Sequence, residues 1–273
     1  MDNISYFDTH AHFSRASGDY RVSEQVRRAK DSGVSRIIGV GGSDELNEAA
    51  LSAAREFPDL ISIALGFDRD CAGTFGSHDC AGVAASVKKQ IEIARTNGVQ
   101  VSAIGEIGLD YHYSTQNATE QVALFRCQLE LARMLVLPVV VHSREADDDT
   151  LATLREHADM WHGDPCRIGV LHCYTGDAEF FGKLLELGFY ISFSGIVTFR
   201  NADSLRNVAR GIPDDRLLIE TDSPYLTPMP LRGRRNEPAF IEHTAKCLAD
   251  LRGVSINSLA SLTFANASRL FEG

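Results

Sequence analysis

Residues 6–13 read YFDTHAHF, with Asp8, His10 and His12 spaced two apart. Side chains on a strand alternate faces, so the three share one face if strand geometry persists that far. Neutral imidazole is a good ligand for zinc and its neighbours, and two on one face suit a metal. The plain alternative is a polar strand end with two solvated histidines. Further along, Glu106 lies in AIGEIGLDYH, His142 in PVVVHSREA, His172 in VLHCYTG and Asp222 in LLIETDSPYL, each in or just after an apolar run. Singly, each has an ordinary role: a hydrogen-bonded core histidine, an arginine's partner, a helix cap. Together, four histidines and two carboxylates exceed the needs of one zinc ion. They suit two divalent cations bridged by a carboxylate and a hydroxide.

Such a set works only if the elements bring it to one place. Short β-branched runs alternate with longer stretches of helical period. The strand candidates are ISYFDT, RIIGVG, ISIALGF, VSAIGEIG, PVVVHS, RIGVLHC, FYISFSG and LLIETD. They are almost continuously apolar, as in parallel strands covered on both faces. Between them, EQVRRAKDSG, DELNEAALSAAREF (capped by Ser43 or Asp44), VAASVKKQIEIARTNG, ATEQVALFRCQLELARML and DAEFFGKLLELG read as amphipathic helices. Eight β–α alternations in 273 residues predict a TIM (β/α)8 barrel, one domain over 1–273. A doubly wound open sheet is weaker, because no glycine-rich dinucleotide fingerprint follows a strand. In a barrel the candidate residues fall at the carboxyl ends of five strands, where barrel enzymes keep their active sites.

Composition bounds the function. The formal charge is −10, which disfavours a duplex grip through the general surface, since that affinity comes from phosphate neutralisation. A local metal site with a few arginines can still act on a phosphate ester. No apolar run approaches the ~18 residues of a membrane span, and no signal peptide is visible near Asp2, so the expected compartment is the cytoplasm. No feature points to an obligate protein partner. The six cysteines form no CxxC pair, a scatter typical of reduced thiols. Cys71 and Cys80 flank His78 in DRDCAGTFGSHDCAG; free loop thiols are expected there rather than a disulfide or an accessory metal.

The stretches FDTHAHF, GEIGLDYH, PVVVHSREADDD, LHCYTG, IPDDRLLIETDSPYL and RGRRNEPAFI, in this order from Phe7 to the C-terminal TFANASRLF, resemble the TatD family of metal-dependent hydrolases within the amidohydrolase superfamily. The resemblance implies that His10, His12 and Asp222 hold one divalent metal (zinc, manganese or magnesium), that His142 and His172 hold a second, and that Glu106 bridges them. Water between the metals would be the nucleophile and Asp222 would take its proton. Arg144, two residues after His142, is expected to point the same way and to offer its guanidinium to phosphate, with a salt bridge to a rim carboxylate as the alternative. Tyr111 and Tyr225 adjoin the ligands and offer either packing or a stacking face. Asp110 would orient a ligand. Arg232, Arg235, Asn236 and Glu237 match a late loop and either brace it or touch substrate.

Two positions depart from the family pattern. Its usual Gly-x-His-Pro after strand three is Gly66-Phe67-Asp68-Arg69 here, with a variant loop to about Gly82, and Ser14 stands where an acid or amide is common. Asp68 at the substrate side would repel phosphate unless Arg69 or a metal compensates. The expected activity is therefore a divalent-metal phosphodiesterase, a deoxyribonuclease attacking single-stranded DNA from an end. The alternative is hydrolysis of a small amide, ester or lactone on the same centre. A non-catalytic metal scaffold would show a missing ligand, and all six positions are filled.

Overall fold

A computed structural model describes residues 4–13, 21–75 and 79–273; Asp2, Ser14 and His78 lie outside the described residues. The strands are β1 (Tyr6–Ala11), β2 (Val34–Gly42), β3 (Ile61–Phe67), β4 (Val101–Asp110), β5 (Val139–Arg144), β6 (Gly169–Leu171), β7 (Tyr190–Phe193) and β8 (Leu217–Ile219). All eight sequence runs form strands, paired in parallel in chain order. The two edges meet through a parallel bridge between Ala11 and Ser223. There the Asp222 amide donates to the His10 carbonyl at 2.9 Å and the His12 amide to the Ser223 carbonyl at 2.7 Å. The sheet is thus a nearly closed TIM barrel.

Around it run α1 (Val22–Asp31), α2 (Asp44–Glu56), α3 (Ala72–Phe75), α4 (Cys80–Thr96), α5 (Ala118–Leu135), α6 (Asp147–Asp159), α7 (Ala178–Glu186), α8 (Asp203–Gly211), α9 (Ile241–Arg252) and α10 (Ile256–Phe271). Several start on side-chain caps that satisfy otherwise orphaned amides. Ser43 accepts from the Leu46 amide, Asp177 from the Phe180 amide and Ser255 from the Ser258 amide. After α1, Gly33 turns at φ +85°, where a Cβ would lie 2.7 Å from the Ile4 carbonyl oxygen; only glycine fits that left-handed turn.

Two apolar bodies hold the barrel. The larger lies between the sheet and the helices. The smaller takes residues from every strand, among them Phe7, Val140, Val170, Tyr190 and Leu218, and packs them against Leu270 and Phe271 of α10. That plug fills the amino-terminal half of the barrel interior. None of the described helices is long and apolar enough to cross a membrane.

Two expectations need correction. The stretch after β3, expected as a loop, is helical where described: a 3-10 turn over Arg69–Cys71, then α3, then α4. Cys80 and Cys127 are disulfide-bonded with Cα atoms 5.1 Å apart, while Cys71, Cys166, Cys173 and Cys247 are free. Side-by-side packing of α4 and α5 brings the pair together across a sequence separation of 47, so local spacing carries no sign of it.

Candidate metal centre

Strand periodicity builds the site directly on the apolar plug. On β5 Val140 faces the interior and His142 follows two residues later; on β6 Val170 precedes His172 by the same step. On β4, Glu106 sits between Gly105 and Gly108. A Cβ on Gly105 would come within 2.7 Å of the Val140 Cβ, and one on Gly108 within 2.0 Å of the His142 carbonyl oxygen. Both glycines are thus required for β5 to lie close enough for His142 to reach Glu106. Past β8 the chain turns at Asp222, whose φ is +55°, a left-handed conformation that Asp tolerates better than most side chains.

The six expected residues converge. His10 Nε2 and His12 Nε2 are 3.1 Å apart, and lie 3.6 and 3.4 Å from Glu106 Oε2. Each is 3.8 Å from Asp222 Oδ1. On the other side His142 Nδ1 and His172 Nε2 are 3.3 Å apart, and lie 3.2 and 3.3 Å from Glu106 Oε1. The two oxygens of Glu106 therefore serve two separate groups. Ligand atoms about 2.1 Å from one tetrahedral ion lie about 3.4 Å from each other, so the spacing and the nitrogen–oxygen donor set both fit divalent cations. His10, His12 and Asp222 form one candidate ligand set, and Glu106, His142 and His172 another.

The far sides of the imidazoles are also placed. His12 Nδ1 meets the Val40 carbonyl at 3.0 Å. His142 Nε2 meets Asp110 Oδ2 at 3.2 Å, so Asp110 stands where it can orient that ring. His172 Nδ1 faces Glu220 Oε1 at 3.4 Å. Glu220 is fully buried, receives the Cys173 amide at 2.7 Å, and joins His10 and His172 in a third candidate set. Sequence reasoning passed over Glu220. The signal was available in the two-residue step Leu218, Glu220, Asp222, which puts a carboxylate on the inward face just above the plug.

Charge follows burial and neighbours. Burial pushes the His10 imidazole down to about 3 and the Asp222 carboxyl up to about 6. Burial would also raise Glu106, but the surrounding imidazoles hold it well below the usual carboxylate range. For His172 burial is outweighed by the Glu106 and Glu220 carboxylates, which raise it. Asp8 does not join the set. Its carboxylate is buried against β8, accepting the Thr221 amide at 2.9 Å and the Thr221 hydroxyl at 2.6 Å, and burial raises it to about 7.

A cleft of about 780 Å³ opens beside the ligands, lined by Asp68, Arg69, Asp70, Tyr113, Arg144 and Tyr225 among others. Among the described residues, Arg144 pairs with no rim carboxylate. Its guanidinium lies over the Tyr113 ring, 5.3 Å from the centroid. Tyr113, which sequence reasoning missed, is 79% exposed, and Tyr225 is 62% exposed. Tyr111 is tied down, donating to Asp149 at 2.7 Å. The late loop is braced from within. Asn236 Nδ2 donates to the Thr221 and Tyr225 carbonyls at 2.8 and 2.6 Å. Glu237 holds Arg28 through bonds of 2.7 and 2.5 Å. Arg232 stacks over Phe199 at 4.1 Å.

The chain is similar to known proteins over nearly its whole length. The family model described as TatD related DNase matches residues 7–272. YabD of Bacillus subtilis (strain 168), described as an uncharacterized metal-dependent hydrolase, is 38% identical over 265 residues, 97% of this chain and 98% of its own. The 3'-5' ssDNA/RNA exonuclease TatD of Cronobacter sakazakii is 35% identical over 270 residues, 97% of each chain. The crystal structure of YjjV, a TatD homologue from Escherichia coli K12, superposes with a TM-score of 0.84 at 28% identity over 98% of both chains.

Proposed function

Because the chain belongs to the TatD related DNase family and is a metal-dependent hydrolase, we propose that it cleaves phosphodiester bonds of single-stranded DNA from an end. The observation that carries this reading is the division of the Glu106 oxygens between two ligand groups. His10, His12 and Asp222 would hold one divalent cation, His142 and His172 a second, with Glu106 shared. Bound there, the cations would make water a nucleophile near neutral pH and draw charge from the phosphorus–oxygen bond.

The chain's own residues supply the rest. Asp222 Oδ1, 3.8 Å from both His10 and His12, is positioned to accept the proton that the attacking water gives up. Asp110 fixes the orientation of His142. Arg144 stands at the rim with a planar guanidinium suited to phosphate oxygens. Tyr113 and Tyr225 expose ring faces on which unpaired bases can stack. A single strand held in a cleft with two arginines needs less basic surface than a duplex grip, which reconciles a single-strand substrate with the charge of −10.

The test uses protein stripped of metal and refilled with magnesium, manganese or zinc, incubated with end-labelled single-stranded DNA beside Glu106→Ala. Shortening that needs metal and is absent from Glu106→Ala supports the reading, and the ladder gives the end attacked. An intact oligonucleotide with full metal content defeats it. A second reading, hydrolysis of a small amide, ester or lactone, draws on the acidic lining of the cleft at Asp68 and Asp70. Activity on such a panel in place of DNA would favour it.

A further inference from the structure

The segment in which the chain departs from its family's pattern carries an arginine whose setting is unlike that of the other well-anchored arginines. Arg28 is bidentate on Glu237 at 2.7 and 2.5 Å. Arg206 donates to carbonyls at 3.0 and 2.7 Å and to Asp203 at 2.6 Å. Arg69 is also partly buried, with 23% of its side chain exposed, yet among the described residues it makes no hydrogen bond. Its nearest acceptors are Asp70 Oδ1 at 3.5 Å, Glu106 Oε1 at 3.7 Å and Asp110 Oδ2 at 3.8 Å. A guanidinium carries five N–H donors in a fixed fork. Here the fork is held beside the bridging carboxylate and lines the open cleft.

The backbone that aims it is firmly built. Gln128 of α5 accepts the Phe67 amide at 2.7 Å and donates to the Phe67 carbonyl at 2.8 Å. The Asp68 amide donates to the Gly42 carbonyl at 2.8 Å. Asp68 Oδ1 then accepts the Asp70 amide at 2.8 Å and starts the 3-10 turn that begins with Arg69. Asp68 Oδ1 therefore caps the turn, which holds the Arg69 guanidinium 3.7 Å from Glu106 Oε1 and 3.8 Å from Asp110 Oδ2.

We propose that Arg69 is a phosphoryl-binding residue of this site and Asp68 its positioning residue. The fork would take non-bridging oxygens of the substrate's phosphoryl group, and of a phosphate product, as they reach the metal ligands. This rests on the phosphoester reading above. The ligand class is a tetrahedral phosphate oxyanion, which matches the planar fork and its two parallel donors. The carboxylates around Arg69 keep the guanidinium charged and, at 3.5–3.8 Å, leave its donors available. A bare acidic rim would repel that ligand; Arg69 offsets Asp68 and Asp70 at the point of entry.

The experiment is calorimetric titration of inorganic phosphate into metal-loaded protein, with metal content and thermal midpoint measured on each variant. Phosphate is expected to bind the wild type. Arg69→Gln should weaken it by about tenfold or more, the scale of a lost charged hydrogen bond, with metal content unchanged. Arg69→Lys, which keeps the charge and loses the fork, should fall between. Asp68→Asn keeps an acceptor oxygen and sheds a repelling charge, so it should bind at least as tightly as the wild type, whereas Asp68→Ala loses the cap and should weaken phosphate several-fold relative to Asp68→Asn without losing metal. Undiminished binding in Arg69→Gln, loss of metal in that variant, or no phosphate binding by the wild type would each overturn the proposal. Phosphate binding that depends on Arg69 in a protein that leaves DNA intact would retain the anion site and reject the nuclease reading instead.

Discussion

The two halves of the barrel interior are made from the same strands, two residues apart, and behave oppositely. Below, Phe7, Val140, Val170, Tyr190 and Leu218 close around α10, with Phe7 packed on Phe264 at 5.6 Å between ring centroids. Above, His142 stands on the next inward position of β5, and His172 and Glu220 stand just past β6 and β8. Burying an aliphatic side chain stabilises the fold by about 1.5–3 kcal/mol. Burying an imidazole or carboxylate costs several kcal/mol unless it is paired. Several atoms here are buried with no hydrogen bond among the described residues: His10 Nδ1, His172 Nδ1 and Glu220 Oε2. The lower half thus supports the barrel, and the upper half gives up stability for a set of donors that a cation can satisfy.

This contrast can be broken from either side. The largest effect is expected at the top. Glu106→Ala should lower metal-dependent hydrolysis by about a thousandfold or more, while circular dichroism still reports a folded barrel. Unfolding of that variant would mean that the upper half also carries the fold. At the bottom, Leu218→Ala should destabilise the protein by about 2–5 kcal/mol in denaturant melts, with metal stoichiometry equal to wild type; loss of metal would join the two halves. Removing metal by chelation should lower stability by about 3–4 kcal/mol relative to protein held at 100–1,000 times Kd. The same shift is expected in Leu218→Ala and a smaller one in Glu106→Ala, which keeps the His10, His12 and Asp222 set. The smallest effect sharpens the boundary of the site. Asp110→Asn should weaken metal binding by about 10–100-fold in chelator competition, with little change in the melt without metal.

How much of this was legible before the fold was known differs from residue to residue. His142 and His172 each follow an unbroken apolar run, so a period of two and a barrel rule were enough to send them to one rim. Glu106 was legible for the same reason, and its flanking glycines fit the close approach of β5. Asp8 was misleading. It shares the two-residue spacing of His10 and His12, but the β1–β2 register shifts between Asp8 and Ala11, and Thr221 captures its carboxylate. Tyr113 and Arg69 had no periodic signal, because both stand outside the strands, where side-chain direction is not fixed by alternation.

Strand count, strand order and the gathering of six candidate ligands at one rim were determined by the sequence itself, because alternation and burial act locally and repeat. Tertiary structure alone decided that the two oxygens of Glu106 face different ligand groups, that Glu220 backs His10 and His172, that Cys80 meets Cys127, and that Asp68 caps the turn from which Arg69 approaches Glu106 and Asp110. Each depends on distances between segments far apart in the chain, and those are set only when the barrel closes and its helices pack.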